Sequence, residues 1–122
     1  MIKKIEQDLK YCQGTYKNYY MTYLRGVVTN LHTGKSTITT REFLFDTGAA
    51  ITILNNQFID LFENTETPVI SYQKIQYGGN IVELPIYKIT IEIKGVGFEI
   101  PAAFDKEMKI TSLLGHLGFL NE

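Results

Sequence analysis

A hydrophobic run that ends in an acidic turn is the feature that most constrains the fold of this 122-residue chain. Residues 43–45, Phe-Leu-Phe, have the β-propensity and the hydrophobicity of a buried strand, and Asp46 follows them directly. Thr47 offers a hydroxyl for a local hydrogen bond, and Gly48 permits a backbone conformation or a close approach that a Cβ would forbid. The pattern predicts a rigid strand that presents one carboxylate at a tight turn, as a catalytic acid would be presented.

A second strand is predicted by strict alternation in the later half of the chain. Ile89, Ile91 and Ile93 alternate with polar residues, so one face of the strand is expected in the core and the other in solvent. The glycines in residues 95–97 predict a turn, and residues 98–100 then form the antiparallel return strand.

Short strands and turns recur elsewhere in the sequence. Residues 30–35, Asn-Leu-His-Thr-Gly-Lys, carry the turn chemistry of a hairpin, and residues 51–54 predict a short strand. Asn55 or Asn56 is placed to cap a helix that runs through Leu61 or Phe62. The β-forming residues before the hairpin turn are Tyr16, Tyr19, Tyr20, Tyr23, Val27 and Val28. Many short strands with little helix predict an all-β, barrel-like domain.

The N-terminal segment differs from the rest of the chain. Ile2, Ile5 and Leu9 recur at helical spacing, which predicts an arm or short helix over residues 1–17 and one domain over residues 18–122. This segment has no apolar stretch typical of a signal peptide, and no stretch of the sequence is long and apolar enough to span a bilayer.

Composition narrows the classes of partner and cofactor. Twelve basic and 13 acidic residues are scattered along the chain and give a net charge of −1, so neither nucleic acid nor a membrane is expected as a partner. The single cysteine, Cys12, fits a reducing, cytoplasmic location and is interpreted as a bystander thiol. No spacing of His, Cys or carboxylates predicts a metal site, and no glycine-rich loop precedes a helix as in nucleotide sites. No cofactor is expected.

Three short motifs follow one another along the chain: residues 46–49, Asp-Thr-Gly-Ala, residues 77–80, Tyr-Gly-Gly-Asn, and residues 112–115, Ser-Leu-Leu-Gly. With these motifs in this order, the chain resembles the single-domain retropepsin-like aspartic peptidases, a group that includes retroviral proteases and small bacterial relatives. Residues 46–49 match the retroviral form of the catalytic motif, residues 112–115 are similar to the signature before the last helix of that family, and residues 77–80 are similar in position to its glycine-bearing flap. The resemblance runs from the strand before Asp46 to the chain end, and it implies a closed β-barrel of the acid protease fold with one or two short helices.

The resemblance also implies roles for individual residues in an aspartic endopeptidase. The catalytic set is Asp46, Thr47 and Gly48, with Thr47 bonding across a dimer axis and Gly48 beside the substrate. The substrate-binding set is Ala49, Tyr77, Gly78, Gly79, Leu114 and Gly115. The substrate is expected to be a peptide or a protein.

Peptide hydrolysis explains why a second chain would be needed. Water must lose a proton while the amide gains one, and two carboxyls about 3 Å apart can share one proton and supply both an acid and a base. This chain has a single Asp-Thr-Gly motif. The resemblance therefore implies a symmetric homodimer in which each subunit contributes one Asp46 at the two-fold axis.

Two features near the C-terminus depart from the retroviral pattern. His116 and Leu117 stand where those proteases carry an Arg-Asp or Arg-Asn pair that anchors the dimer. With residues 121–122 as its last, the sequence is expected to have no terminal strand that interleaves between subunits. Three arrangements stay open: residues 1–17 replace that strand, the chain is a truncated form, or the protein is a monomer with an unpaired Asp46.

Simpler interpretations exist for both motifs. Asp46 can cap a turn without catalysing anything, and residues 77–80 can be an ordinary hairpin turn. The alternative to a peptidase is then a non-catalytic retropepsin-like module that binds a peptide or only dimerises.

Overall fold

The computed structural model describes residues 13–16, 19–46, 49–77 and 79–115. Within these residues the chain is mostly strand. The strands are β1 (Gln13–Tyr16), β2 (Tyr19–Asn30), β3 (Arg41–Phe45), β4 (Thr52–Leu54), β5 (Ser71–Tyr77), β6 (Asn80–Ile93), β7 (Val96–Phe104) and β8 (Ser112–Leu114). One short helix, α1 (Ile59–Phe62), follows a 3-10 turn at Asn56–Phe58.

A closed barrel is the centre of the fold. The strands follow the order β1-β2-β3-β8-β4-β7-β6-β5, and an additional pairing of β2 with β6 joins β2, β3, β8, β4, β7 and β6 into a ring. β1 and β5 lie outside this ring, each paired with one neighbour. The predicted all-β closed barrel with a short helix is confirmed.

The long strand β2 closes the barrel by changing partner at its middle. Its earlier part pairs with β3 as far as Gly26, and its last four residues pair with β6. A Cβ at Gly26 would lie 3.0 Å from the carbonyl oxygen of Glu92, so glycine gives the two strands room to approach at this corner.

The hairpin between β6 and β7 confirms the predicted alternation and corrects the predicted turn. Ile89, Ile91 and Ile93 are fully buried, as their spacing predicts. The turn consists of Lys94 and Gly95, which both have left-handed φ, of 50° and 80°. Residues 96–97 already belong to β7, because a two-residue loop with positive φ suits the twist of antiparallel strands.

The predicted hairpin turn at residues 30–35 and the predicted helix cap are also confirmed. The turn follows the end of β2 at Asn30, and Gly34 has a left-handed φ of 76°. Asn55 is the cap: its side chain accepts from the Gln57 N–H at 3.0 Å and donates to the Ile110 carbonyl at 2.8 Å. These bonds satisfy backbone groups at the helix start and hold the loop before β8 against it.

The core has two parts. The larger cluster fills the barrel and includes Phe43, Phe58 and Ile91. The smaller cluster contains Ile51, Ile53, Leu84, Ile86, Ala103 and Met108, and three partly buried side chains, Ile75, Val82 and Leu113, pack against it. The smaller cluster therefore joins the β5–β6 hairpin to the segment just after Asp46.

Several predictions concern residues outside the described ranges. The helical spacing of residues 1–12, the terminal helix after Gly115 and His116 itself all lie there. The division of the chain at residue 17 stays a prediction. In the described part of the chain, no helix is long and apolar enough to cross a membrane.

Candidate active site

Asp46 is held by its backbone at the end of a strand. β3 pairs in parallel with β8, with Phe45 opposite Leu114, and the next N–H along, that of Asp46, donates to the Leu114 carbonyl at 3.1 Å. The Ala49 N–H donates to the Asp46 carbonyl at 3.1 Å. The Asp46 side chain is partly exposed. As predicted from the sequence, a strand positions this carboxylate; the turn predicted at Thr47 and Gly48 lies outside the described residues.

Gly115 permits a close contact between two segments near the acid. A Cβ built at Gly115 would lie 2.4 Å from the carbonyl carbon of Ile51 and 2.6 Å from its oxygen. Real Cβ atoms do not approach backbone atoms this closely, so only glycine fits. The end of β8 therefore packs directly on the backbone that leads from Asp46 into β4.

Thr52 fixes the same junction and was not identified from the sequence. Its side chain is fully buried, and its Oγ1 accepts the Gly115 N–H at 3.1 Å. Together with the bond from the Asp46 N–H to the Leu114 carbonyl, it connects the ends of β3 and β8 to the start of β4. The available signal was a lone hydroxyl in the apolar run of residues 51–54.

A cavity of about 290 Å³ adjoins Asp46. Asp46 and Ala49 form one side, and Ile51, Ile53 and Leu113 provide an apolar floor. Residues 73–76 of β5 line it from the hairpin. Among the described lining residues, Asp46 is the only acidic residue and Lys74 is the only basic residue. We call this space the Asp46 cavity.

The β5–β6 hairpin forms one wall of the Asp46 cavity through residues 73–76. Its strands pair in regular register from Ser71 opposite Ile86 to Tyr77 opposite Asn80, which confirms the turn predicted at residues 77–80. Gly79 has a φ of 79°, which favours glycine, and nothing lies within 4 Å of the position of a Cβ. Ile75 and Val82 pack on the smaller core cluster, which holds the hairpin beside Ile51 and Ile53 of the cavity lining.

The sequence-predicted site residues divide into three groups. Asp46 and Ala49 line the cavity, and Gly79 lies in the turn of the hairpin. Leu114 and Gly115 are buried beside Asp46, and the cavity is lined instead by the neighbouring Leu113. Thr47, Gly48, Gly78 and the Tyr77 side chain lie outside the described residues. All of their catalytic and substrate-binding roles stay predictions.

No metal-binding group is formed by the residues that the structure describes. Among them, no three His, Cys, Asp or Glu side chains come together in a way that could hold an ion.

Comparison with known proteins supports the fold through solved structures. No protein-family model matches the chain, and no curated protein matches it. The structure is similar to EIAV protease in complex with the inhibitor HBY-793, with a TM-score of 0.59 and 19% sequence identity, over 84% of this chain and 88% of that one. It is also similar to the foamy viral protease-reverse transcriptase in complex with an RNA/DNA hybrid, with a TM-score of 0.58 and 15% identity.

The second similarity covers 84% of this chain and 12% of the foamy viral chain, so the present chain spans a small part of that protein. Both neighbours contain a retroviral protease, and the closed barrel seen here matches their architecture. The chain therefore has the retropepsin-like fold.

Proposed function

We propose that this protein is a retropepsin-like aspartic endopeptidase whose catalytic pair is Asp46 and the Asp46 of a second copy. The observation that carries the proposal is the placement of Asp46. The backbone of β3 and β8 fixes it at the wall of a cavity, on a retropepsin-like barrel, and a β-hairpin lines the same cavity. A carboxylate whose backbone is held by strand pairing beside a cavity suits general acid–base chemistry.

The single acid in the Asp46 cavity supports a dimer. Hydrolysis of an amide requires an acid and a base together, and two carboxyls sharing one proton supply both. Asp46 is the only carboxylate among the described residues that line the cavity. In the proposed mechanism the second carboxylate therefore comes from another chain, through a two-fold axis that brings the two Asp46 side chains together.

The substrate in this proposal is an extended peptide or protein segment. The apolar floor of Ile51, Ile53 and Leu113 favours an apolar side chain next to the scissile bond. The hairpin can add backbone hydrogen bonds and exclude water when it closes. Thr47 and Gly48 complete the catalytic motif, and no cofactor takes part.

The first experiment compares the protein with its Asp46→Asn variant on a diverse peptide library, at neutral and mildly acidic pH, with products identified by mass spectrometry. The variant should lose at least about 100-fold in rate, because Asn cannot exchange the proton. Asp60→Asn is the matched control, since Asp60 is an exposed acid in α1, and it should cleave normally. Equal cleavage by the protein and by Asp46→Asn would point to a contaminant. No cleavage by folded, dimeric protein would contradict the peptidase.

A mixing experiment tests the shared pair. After exchange of subunits between equal amounts of active protein and Asp46→Asn, about one quarter of the dimers keep both Asp46 residues. Activity per active chain should then fall to about half, because random pairing leaves half of the active chains with an Asn partner. An unchanged activity per active chain, or only monomer in sedimentation at high concentration, would contradict a dyad between chains.

The alternative function is a non-catalytic peptide-binding module. The hairpin and the apolar floor favour it as a second candidate, because they can bind a peptide without a second carboxylate. A statine-type analogue carries a hydroxyl that lies between paired carboxyls, so it should bind far more tightly than a plain peptide if the dyad forms. Equal binding of the two would support the module.

A further inference from the structure

A second concave site lies outside the Asp46 cavity and has a different character. It is a cleft of about 690 Å³ between β6, the end of α1 and the loop after β7, and it shares no lining residue with the Asp46 cavity. The apolar lining includes Phe62, Pro85, Tyr87 and Phe104. The charged lining consists of Glu63, Glu83, Asp105, Lys106 and Glu107. We call this site the acidic cleft.

Packed aromatic rings form the floor of the acidic cleft. Phe62 stacks on Tyr87 with 4.5 Å between ring centroids, and it also packs on Phe104 at 5.2 Å. Phe62 and Phe104 are buried, whereas Tyr87 is partly exposed on the face of β6 that also carries Glu83 and Pro85. Burial, and secondarily the nearby Tyr72 hydroxyl, raises the pKa of Tyr87 above 10.0, so its ring is uncharged at neutral pH.

Carboxylates from three elements of the fold line the cleft together with this floor. Glu63 follows α1, Glu83 is in β6, and Glu107 is in the loop after β7, and all three are exposed. Asp105 is buried, and its Oδ1 accepts the Glu107 N–H at 2.9 Å, which shapes the loop. Four carboxylates and one cation, Lys106, thus line the cleft, although the whole chain has a net charge of only −1.

We propose that the acidic cleft binds a basic segment of a partner protein in which Lys or Arg side chains flank an apolar residue. The cationic groups would pair with Glu63, Glu83 and Glu107, and the apolar residue would lie on the aromatic floor. A Lys or Arg stem can also cover the Tyr87 ring and place its charge over the ring face. The volume of the cleft is within the range of ligand-binding pockets.

The same features disfavour other occupants. Nucleic acids and acidic segments would bring negative charge beside the carboxylates, which weakens association. A wholly apolar segment would remove water from the glutamates without pairing them, at a cost in free energy. A small polyamine would satisfy the charges but leave the aromatic floor uncovered. Only a segment that is both basic and partly apolar complements the whole cleft.

Fluorescence anisotropy with a labelled peptide tests this proposal. The probe is fluorescein-labelled Lys-Arg-Phe-Lys-Arg, and the protein is the full chain with Asp46→Asn, so cleavage plays no part. The proposal predicts saturable binding that weakens between about 0.05 M and about 0.5 M salt, because salt screens exposed charges. Glu-Glu-Phe-Glu-Glu should not bind, and Lys-Arg-Gly-Lys-Arg should bind several-fold more weakly because it lacks the apolar anchor.

Paired variants locate the binding. Glu83→Gln with Glu107→Gln removes two cleft charges and should weaken binding of the probe about threefold to tenfold. Glu42→Gln with Glu92→Gln is the matched control: it removes the same charge from two exposed acids outside the cleft and should change binding less than twofold.

Equal losses in the two double variants, or equal binding of the Phe and Gly probes, would overturn the proposal. Absence of saturable binding by the folded protein would do the same. Because these assays do not depend on catalysis, their outcome is separate from that of the peptidase test.

Discussion

The Asp46 cavity and the acidic cleft lie against paired strands of one hairpin, yet they are built in opposite ways. β5 contributes residues 73–76 to the cavity, and β6 contributes residues 82–85 and Tyr87 to the cleft. In the register of the hairpin, Lys74 lies opposite Glu83 and Gln73 lies opposite Leu84. An occupant of the cleft therefore contacts β6, the strand that is paired with β5 of the Asp46 cavity.

The two sites differ in how firmly the structure holds their charged groups. The cavity is the smaller, and backbone hydrogen bonds with a glycine-only contact hold its acid in place. The cleft is more than twice as large, and its glutamates are exposed on separate elements. Chemistry requires groups held within fractions of an ångström, whereas charge recognition tolerates mobile side chains. The larger concave site is thus not the better candidate for catalysis.

The largest expected effect is the loss of stability in Gly115→Ala, at the junction beside the Asp46 cavity. The added Cβ would overlap the Ile51 backbone, which should lower the free energy of unfolding by about 3 kcal/mol. Urea unfolding at one fixed protein concentration measures this. Gly97→Ala is the control, because its Cβ would meet only Thr90 Cγ2 at 3.8 Å, and it should cost less than about 1 kcal/mol. If Gly115→Ala lowers the free energy of unfolding as little as Gly97→Ala does, the junction tolerates a side chain.

A moderate effect confined to the Asp46 cavity is expected from Thr52→Val. The variant keeps the shape of Thr52 but leaves the buried Gly115 N–H without its acceptor, at a cost of about 1–3 kcal/mol. Peptide cleavage should fall through kcat, because the junction beside Asp46 loosens, while binding of the basic probe to the acidic cleft stays unchanged. Thr52→Ser retains the oxygen and should restore most of the cleavage. Failure of Ser to rescue would assign the effect to packing alone.

The smallest effect concerns the acidic cleft and the pH dependence of stability. The folded pKa of Tyr87 is raised above its unfolded value of 10.0, so the unfolded chain releases this proton more readily. The contribution of Tyr87 is therefore fully present below pH 10.0 and is lost as the pH rises through the folded pKa. Urea unfolding midpoints above pH 10.0 should fall less steeply in Tyr87→Phe than in the unmodified protein.

Tyr72→Phe provides the comparison for that measurement. It removes the lesser cause of the pKa shift and keeps the Tyr87 hydroxyl, so most of the decline should remain. If the unfolding midpoint of Tyr87→Phe declines with the same slope as that of the unmodified protein, ionisation of Tyr87 does not cause the decline.

Local patterns in the sequence predicted much of the fold and part of the candidate site. The strand before Asp46, the hairpin at residues 77–80 and the burial of Ile89 each follow from a few neighbouring residues. The turn predicted at residues 95–97 begins instead at Lys94, because the pairing of β6 with β7 decides which residues form the loop. Propensity indicates that a turn occurs, and strand register places it.

The features that the sequence did not predict are formed by contacts between distant segments. Thr52 and Gly115 are 63 residues apart, and nothing near either residue indicates that they meet. The acidic cleft likewise combines the end of α1, one face of β6 and the loop after β7. Such sites form only when the barrel closes, because closure brings together elements that the sequence separates.

Taken alone, the sequence determined the all-β character of this protein, the acid at the end of a strand, and the glycines at Gly79 and Gly115. Strand periodicity, turn chemistry and the glycine positions are properties of short stretches of chain, so they can be recognised without knowing the chain path. The tertiary structure alone decided that Thr52 holds Gly115, that β5 and Asp46 line one cavity, and that four carboxylates and an aromatic floor line one cleft. These features depend on strand order and barrel closure, which are set by the packing of the whole chain.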